Sequence, residues 1–145
     1  MATLVSETYY QSQNRLLPYK WASIEVIKFG KYSTASDVWA FGITLWELFS
    51  LGALPYTGLT NAEATEEVLA GKRLQKPARC PDAVFAIMEK CWLERTKDRP
   101  SMREVYESLK GLEVKSQLSV ALTDSSDSTK PTPFYTTNPS GFYKN

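Results

Sequence analysis

The stretch that decides the fold is S-D-V-W-A-F-G-I-T-L-W-E-L-F-S, residues Ser36 to Ser50. Its interior is apolar except for Thr44 and Glu47. A helix that is apolar around its whole circumference is normally buried, whereas a surface helix keeps one polar face. At about 1.5 Å per residue the stretch is too short to cross a bilayer. We therefore expect a central helix that is buried on all sides.

Two capping-box patterns mark the starts of later helices. Thr60 is followed three residues later by Glu63, and Ser101 is followed in the same way by Glu104. In this pattern each side chain accepts a hydrogen bond from the other residue's backbone N–H. Backbone N–H groups at a helix start, which have no acceptor within the helix, are thereby satisfied. The second pattern opens the last predicted helix, which we expect to end near Leu112.

Further helices are indicated by glycine, proline and residue spacing. A short helix is expected over residues 23–29, closed by Gly30, and Gly52 is expected to end the central helix. Pro81 suits the first turn of another helix. The apolar residues of that helix recur at helical spacing and are Val84, Ile87, Met88, Cys91 and Trp92. All predicted elements are helices or loops, with no credible hairpin.

Composition excludes several kinds of chemistry. The 145 residues are 43% apolar and 23% charged, which is typical of a globular domain, and the net charge of +1 gives no reason to expect nucleic acid. Histidine is absent, which excludes a Ser/His/Asp triad and an H-E-x-x-H metal site within these residues. Cys80 and Cys91 lack a C-x-x-C pattern and suit free thiols in a reducing compartment. We expect no metal site and no membrane segment.

The composition changes beyond about Lys115. Residues 123–133, T-D-S-S-D-S-T-K-P-T-P, are rich in Ser, Thr, Asp and Pro. Such a segment cannot bury enough apolar surface to order itself. We therefore expect a helical domain over residues 1–115 and a flexible tail over residues 116–145.

Five segments in order resemble the C-terminal lobe of a protein tyrosine kinase. They are Tyr9-Tyr10, L-L-P-Y-K-W-A-S-I-E, S-D-V-W-A-F-G-I-T-L-W-E, L-P-Y, and C-W followed by D-R-P-S. The resemblance covers about residues 1–113. It implies a mainly α fold, the helical C-terminal lobe of a protein-kinase-like fold, with the N-terminal lobe and the catalytic loop absent.

The resemblance assigns Leu17, Pro18, Lys20 and Trp21 to substrate binding. Tyrosine kinases use this proline and tryptophan to build a shelf deep enough for a phenol ring. A rigid, apolar proline can lie against an aromatic ring without competing for its hydroxyl. The alternative is that Pro18 and Trp21 are only packed loop residues.

Three further residues carry structural roles by resemblance. Glu25 stands at the glutamate of the family's A-P-E element and Arg99 at the arginine of its D-R-P element, and the two are implied to pair as a brace. Ile24, directly before Glu25, stands where the family's A-P-E element usually has proline. Asp37 resembles a buried aspartate that holds the catalytic loop. Its generic alternative is stabilisation of the helix N-terminus.

Tyrosines outside the helices resemble phosphorylation sites. Tyr9 and Tyr10 resemble the paired activation-loop tyrosines of receptor-type kinases, and a phosphate there could bind Arg15 or Lys20. The end of the chain, Tyr143-Lys144-Asn145, resembles a phosphotyrosine motif read by adaptor modules of the Src-homology kind. The alternatives are solvent-facing tyrosines and an inert tail.

The motifs that carry phosphoryl transfer are missing from the sequence. The reaction needs a Gly-rich loop, an H-R-D-x-x-x-x-N loop and a D-F-G metal ligand, and the 145 residues contain none of them. We therefore name no catalytic residue, and expect ATP and Mg to be bound by a longer parent and not by this chain alone. By resemblance, Met1 falls just after D-F-G, as in a truncated product or a partial gene model.

Two functions remain open at this point. In the first, the chain is part of a signalling protein tyrosine kinase that transfers the ATP γ-phosphate to protein tyrosines, and it supplies the activation loop and the shelf. In the second, it is a non-catalytic binding or decoy module, although missing elements would then leave the central helix partly uncovered and prone to aggregation. The expected location is cytoplasmic, either as a cytoplasmic kinase or as the intracellular part of a membrane receptor.

Overall fold

The fold is mainly helical in the part that the computed structural model describes, residues 10–11 and 17–123. The elements are, in chain order, β1 (Tyr10–Gln11), the 3-10 helix η1 (Tyr19–Trp21), α1 (Ile24–Phe29), β2 (Lys31–Tyr32), α2 (Thr34–Phe49), α3 (Asn61–Leu69), α4 (Asp82–Cys91), the 3-10 helix η2 (Thr96–Asp98) and α5 (Met102–Thr123). This order agrees with the helical lobe expected from the sequence.

Helix α2 forms the centre of the core. Its Trp39 and Ile43 are 1% and 0% exposed and share one cluster with Met88 of α4. Gly42 permits the close approach of α4, because a Cβ added there would lie 2.7 Å from Trp92 Nε1. The five apolar residues predicted at helical spacing on α4 and just after it are all buried.

The outer face of α2 contradicts the expectation that this helix is buried on all sides. Leu48 is 66% exposed, and Leu51, just beyond the helix, is 77% exposed. Asp37 and Thr44 are exposed as well. Asp37, Thr44 and Leu48 follow one another at intervals of seven and four positions, so they lie on one side of the helix. The described elements pack on the other sides of α2, which leaves this face uncovered.

The helix ends follow the predicted capping patterns. Thr60 and Glu63 form the capping box of α3. At the start of α5, the Ser101 backbone N–H donates to Glu104 Oε2 at 2.7 Å, and the Glu104 N–H donates to Ser101 Oγ at 3.2 Å. Helix α1 ends at Gly30, whose φ of 62° is the left-handed conformation that glycine adopts readily.

Three features of the fold differ from the sequence-based prediction. Helix α5 continues to Thr123, past the predicted end at Leu112, because no proline or glycine interrupts residues 113–122. Helical spacing predicts Met102, Val105 and Leu109 on the apolar face of this helix, but Met102 is 43% exposed. Strand β1 pairs antiparallel with β2, with Tyr10 opposite Tyr32, so the chain is not only helices and loops. A two-residue ladder is too short to produce an alternating pattern.

The predicted tail begins inside α5. Residues 116–123 belong to the helix, and residues 124–145 lie outside the described residues. The boundary at residue 115 between domain and tail stays a prediction. None of the helices in residues 17–123 combines the length and the apolar character needed to cross a membrane. Cys80 and Cys91 are free thiols and both are buried.

Candidate substrate shelf

The predicted substrate segment forms the turn that leads into η1. The Trp21 backbone N–H donates to the Pro18 carbonyl at 3.0 Å, which closes the turn. Pro18 is exposed, and Leu17 and Trp21 are half-buried. These three residues line a cavity of about 120 Å³ together with Asp37 of α2. The fold thus places three of the four predicted substrate residues around one cavity, which we call the shelf.

Lys20 is the predicted substrate residue that does not line the shelf. It is 8% exposed, and its Nζ donates to the Tyr56 carbonyl at 3.4 Å. The aliphatic stem of a lysine can be buried along apolar surface while its amine reaches a polar partner. Lys20 therefore anchors η1 to the loop before α3 and does not present its charge for a phosphate. Arg15, the other cation considered for that role, lies outside the described residues.

Glu47 positions the tryptophan of the shelf, a role that the sequence did not predict. Trp21 Nε1 donates to Glu47 Oε2 at 3.1 Å. Glu47 lies on α2, so this hydrogen bond joins the shelf directly to the central helix. The signal in the sequence was the presence of a charged residue inside an otherwise apolar stretch.

Arg99 and Glu25 form the brace that the resemblance implied. Two guanidinium nitrogens of Arg99 donate to the two carboxylate oxygens of Glu25, at 2.7 and 2.8 Å. The remaining Arg99 donor contacts are to the carbonyls of Leu93, Ala35 and Glu94, at 2.7, 3.0 and 3.2 Å. One arginine thus joins α1, the first turn of α2 and the loop before η2.

The brace is an ion pair at neutral pH. Burial alone would raise the pKa of the Glu25 carboxyl, but the hydrogen bonds from Arg99 and from its own backbone, with the charge of Arg99, hold that pKa below its ordinary value of 4.5. Glu25 is therefore ionised, and its charge lies against the guanidinium. Contacts of this bidentate kind fix geometry as well as adding attraction.

Trp39 contacts two arginines. The guanidinium carbons of Arg73 and Arg99 lie 4.8 and 4.9 Å from the centre of its ring. Arg73 also donates to the carbonyls of Trp92 and Val68, at 2.9 and 3.1 Å. Arg73 therefore links α2, α3 and the end of α4. Sequence reasoning missed it, because neither its neighbours nor its spacing distinguishes it from a surface arginine.

Asp37 is exposed in the described structure, and the cap of α2 is Ser33, whose side chain accepts from the Ser36 N–H. Asp37 lies in the first turn of α2, where a negative charge is favourable next to the helix N-terminus, as the generic alternative expects. The catalytic loop that the resemblance assigns to Asp37 is absent from the sequence, so a role in holding that loop stays a prediction.

The predicted phosphorylation sites fall mostly outside the described residues. Tyr9 and Tyr143 lie outside them, and Tyr10 is placed in β1 by its backbone. Within the described ranges, no group of three or more His, Cys, Asp or Glu side chains is arranged to hold a metal ion.

Comparison with known proteins identifies the family. Residues 1–109 match the family described as protein tyrosine and serine/threonine kinase. The tyrosine-protein kinase Fer of Rattus norvegicus is 43% identical over 107 residues, which are 74% of this chain and 13% of Fer. Human Fer is 45% identical over 101 residues, covering 70% of this chain and 12% of the relative. The tyrosine-protein kinase transforming protein Fps of Avian sarcoma virus is 45% identical over 93 residues, which are 64% of this chain and 17% of Fps.

The chain corresponds to a small part of each of these relatives. The chain spans between 12 and 17% of their lengths. None of the three is named as a receptor, so the predicted receptor-like character has no support from them. The family match covers most of the chain, and all three relatives are named as tyrosine-protein kinases. The chain therefore belongs to the protein tyrosine kinase family, as a part of the kinase domain.

Proposed function

We propose that this chain supplies the peptide-substrate shelf of a protein tyrosine kinase that transfers the γ-phosphate of ATP to protein tyrosines. The observation that supports this most is the cavity shared by Leu17, Pro18 and Trp21. An exposed proline beside a half-buried tryptophan offers an apolar surface for a phenol ring. Glu47 and the Glu25–Arg99 brace keep that surface in place from opposite ends of the segment.

ATP and Mg are proposed as cofactors of a longer kinase, and the 145 residues by themselves are proposed to be inactive. The sequence lacks the Gly-rich loop, the H-R-D loop and the D-F-G element that handle nucleotide and metal. When bound, these cofactors supply the phosphoryl group and neutralise its charge. The residues described above would bind and orient the tyrosine that receives it.

Phosphorylation of the chain itself forms a further part of the proposal. Tyr9 and Tyr10 are proposed activation-loop sites, and Tyr143 a proposed tail site whose phosphorylated form binds an adaptor module. Co-expression with an active tyrosine kinase followed by mass spectrometry tests all three, and an absence of phosphate on each would contradict this part. The proposed location is cytoplasmic, which is supported by the two free thiols.

A chimeric kinase tests the role of the shelf. Residues 1–109 would replace the matching stretch of rat Fer, and peptide phosphorylation would be measured with matched tyrosine and serine peptides. We expect phosphate on tyrosine peptides only. The 145-residue chain alone, incubated with Mg-ATP and the same peptides, should transfer none. A folded chimera that phosphorylates serine equally well, or neither peptide, would contradict the proposal.

Substitution of Pro18 separates substrate binding from folding. In the chimera, Pro18→Gly should raise KM for the tyrosine peptide about fivefold, as expected for loss of one aromatic contact, with KM for ATP unchanged. Pro81→Gly is the matched control, because Pro81 precedes α4 and does not line the shelf. Equal effects of the two substitutions would argue against a substrate contact at Pro18.

A further inference from the structure

A second cavity opens beside the shelf, between η1 and the first turns of α3. It has a volume of about 480 Å³, which is within the range of ~300–1,000 Å³ typical of ligand sites. Its lining residues are Tyr19, Asn61, Ala62, Thr65 and Glu66. Tyr19 directly follows Pro18, so a peptide whose tyrosine lies on the shelf would place a neighbouring residue at this cavity. We call it the Tyr19–Glu66 pocket.

The lining of the Tyr19–Glu66 pocket has the chemistry of a cation site. Tyr19 is 42% exposed and offers an aromatic ring. Glu66 is exposed, and among the described residues its carboxylate has no hydrogen-bond or ion-pair partner. The other two α3 glutamates are occupied, because Glu63 closes the capping box and Glu67 pairs with Lys72. An aromatic ring beside an unpaired carboxylate attracts an ammonium or guanidinium group.

The tail of the chain contains a tyrosine with a suitable neighbour. Tyr143 is followed directly by Lys144, whereas the other tail tyrosine, Tyr135, has Phe134 before it and Thr136 after it. The activation-loop doublet has no basic residue on either side, since Thr8 precedes it and Gln11 follows it. Charge complementarity therefore selects Tyr143–Lys144 from the tyrosines proposed as phosphorylation sites.

We propose that the Tyr19–Glu66 pocket binds the side chain of Lys144 when Tyr143 lies on the shelf. The tail of this chain is then a preferred substrate segment of the kinase to which the chain contributes. This inference rests on the proposed function, because it needs a tyrosine to occupy the shelf. It adds a preference for a basic residue next to that tyrosine, with Glu66 as the residue that determines it.

Binding of two synthetic peptides to the full 145-residue chain tests the inference. One peptide has the sequence of residues 138–145, N-P-S-G-F-Y-K-N, and the second carries Lys144→Glu. The ¹⁵N-labelled protein would carry Tyr143→Ala and Lys144→Ala in its own tail, so that the tail does not compete. We expect NMR shift changes at Tyr19 and Glu66, and a Kd about fivefold lower for the lysine peptide, as one exposed ion pair with a cation–π contact would produce.

A charge reversal distinguishes a specific contact from general attraction. In a Glu66→Lys protein the preference should invert, so that the Lys144→Glu peptide binds more tightly. Glu89→Lys is the matched control, because Glu89 is an exposed glutamate on α4 outside the pocket, and it should leave the preference unchanged. Equal inversion by both variants would overturn the assignment to Glu66.

The same titration separates failure of this inference from failure of the proposed function. If both peptides shift the resonances of residues 17–21 with equal Kd, the shelf binds tyrosine and only the lysine preference is overturned. If neither peptide shifts those resonances, the shelf does not bind a tyrosine peptide, and the proposed function is overturned together with the inference.

Discussion

Arg99 and Glu25 are 74 positions apart in the sequence, yet two nitrogens of the guanidinium donate to the two oxygens of the carboxylate at 2.7 and 2.8 Å. The Arg99 side chain is 0% exposed and that of Glu25 is 12% exposed. The contact ties the segment that carries the shelf to the helices beneath it. Both charged groups are largely shielded from water, so removal of either one would leave the charge of the other without a partner.

Loss of Arg99 should strongly destabilise the protein. Arg99→Ala leaves the Glu25 carboxylate buried without its partner, together with three carbonyls that Arg99 now satisfies. Removing one member of a buried pair costs about 3–5 kcal/mol. Urea unfolding measures the change, with Arg103→Ala as the control, since Arg103 is exposed on α5. An unchanged unfolding midpoint for Arg99→Ala would refute the brace.

The brace should make stability depend on pH in the acid range. The pKa of Glu25 in the folded protein lies below 4.5 because hydrogen bonds and the charge of Arg99 outweigh the effect of burial. A lowered folded-state pKa means that this stabilisation is present above about pH 4.5 and is lost as the pH falls through the folded-state pKa. Protonation then removes the charge that Arg99 pairs with.

Comparison with Glu25→Gln isolates this contribution from that of other acidic groups. Melting temperatures of the parent and of Glu25→Gln, measured from pH 7 down to about pH 2.5, should differ most near neutral pH. The difference should shrink below about pH 4.5. A difference that stays constant over the whole range would show that ionisation of Glu25 does not stabilise the fold.

Two glycine-to-alanine substitutions should have opposite effects. At Gly42 a Cβ would lie 2.7 Å from Trp92 Nε1 and 2.8 Å from Cys91 Cβ, so Gly42→Ala should destabilise the protein by about 1–3 kcal/mol. At Gly111, in α5, a Cβ would meet nothing within 4 Å, so Gly111→Ala should stabilise it by about 0.5–1 kcal/mol. Chemical denaturation of both variants checks the pair, and equal effects would mean that α2 and α4 are not packed this closely.

The uncovered face of α2 should promote self-association. Leu48 and Leu51 are 66% and 77% exposed, and contiguous exposed apolar side chains favour contacts between molecules. The double variant Leu48→Lys/Leu51→Lys should be more monomeric in analytical ultracentrifugation, with stability within about 0.5 kcal/mol of the parent. Ile43→Lys, on the buried side of the same helix, should unfold the protein. A parent that is monomeric at every concentration would contradict this expectation.

Local features of the fold followed from short-range sequence patterns. The capping boxes at Thr60 and Ser101 were predicted because their hydrogen bonds join residues only three positions apart. The buried positions of α4 were predicted because 3.6-residue periodicity places them on one side of a helix. Gly30 was predicted as a helix end because glycine adopts the left-handed conformation without steric cost.

The candidate site depended on contacts that such patterns do not encode. A resemblance identified Pro18 and Trp21 as shelf residues, but neither spacing nor composition indicated that Glu47 binds the tryptophan or that Arg73 contacts Trp39. Spacing and composition also did not indicate the position of Lys20, which was expected to be available to substrate and is buried against the Tyr56 carbonyl. A lysine's burial depends on which loop packs beside it, which is a property of the assembled lobe.

By itself, the sequence determined where the helices lie, the capping boxes at Thr60 and Ser101 and the buried residues of α4, because these depend on propensity, capping and periodicity within a few residues. Only the tertiary structure decided which side of α2 stays uncovered, which residues line the shelf, and that Arg73 and Arg99 both contact the Trp39 ring. Those outcomes depend on distances between side chains far apart in the chain, and such distances exist only after the helices have packed.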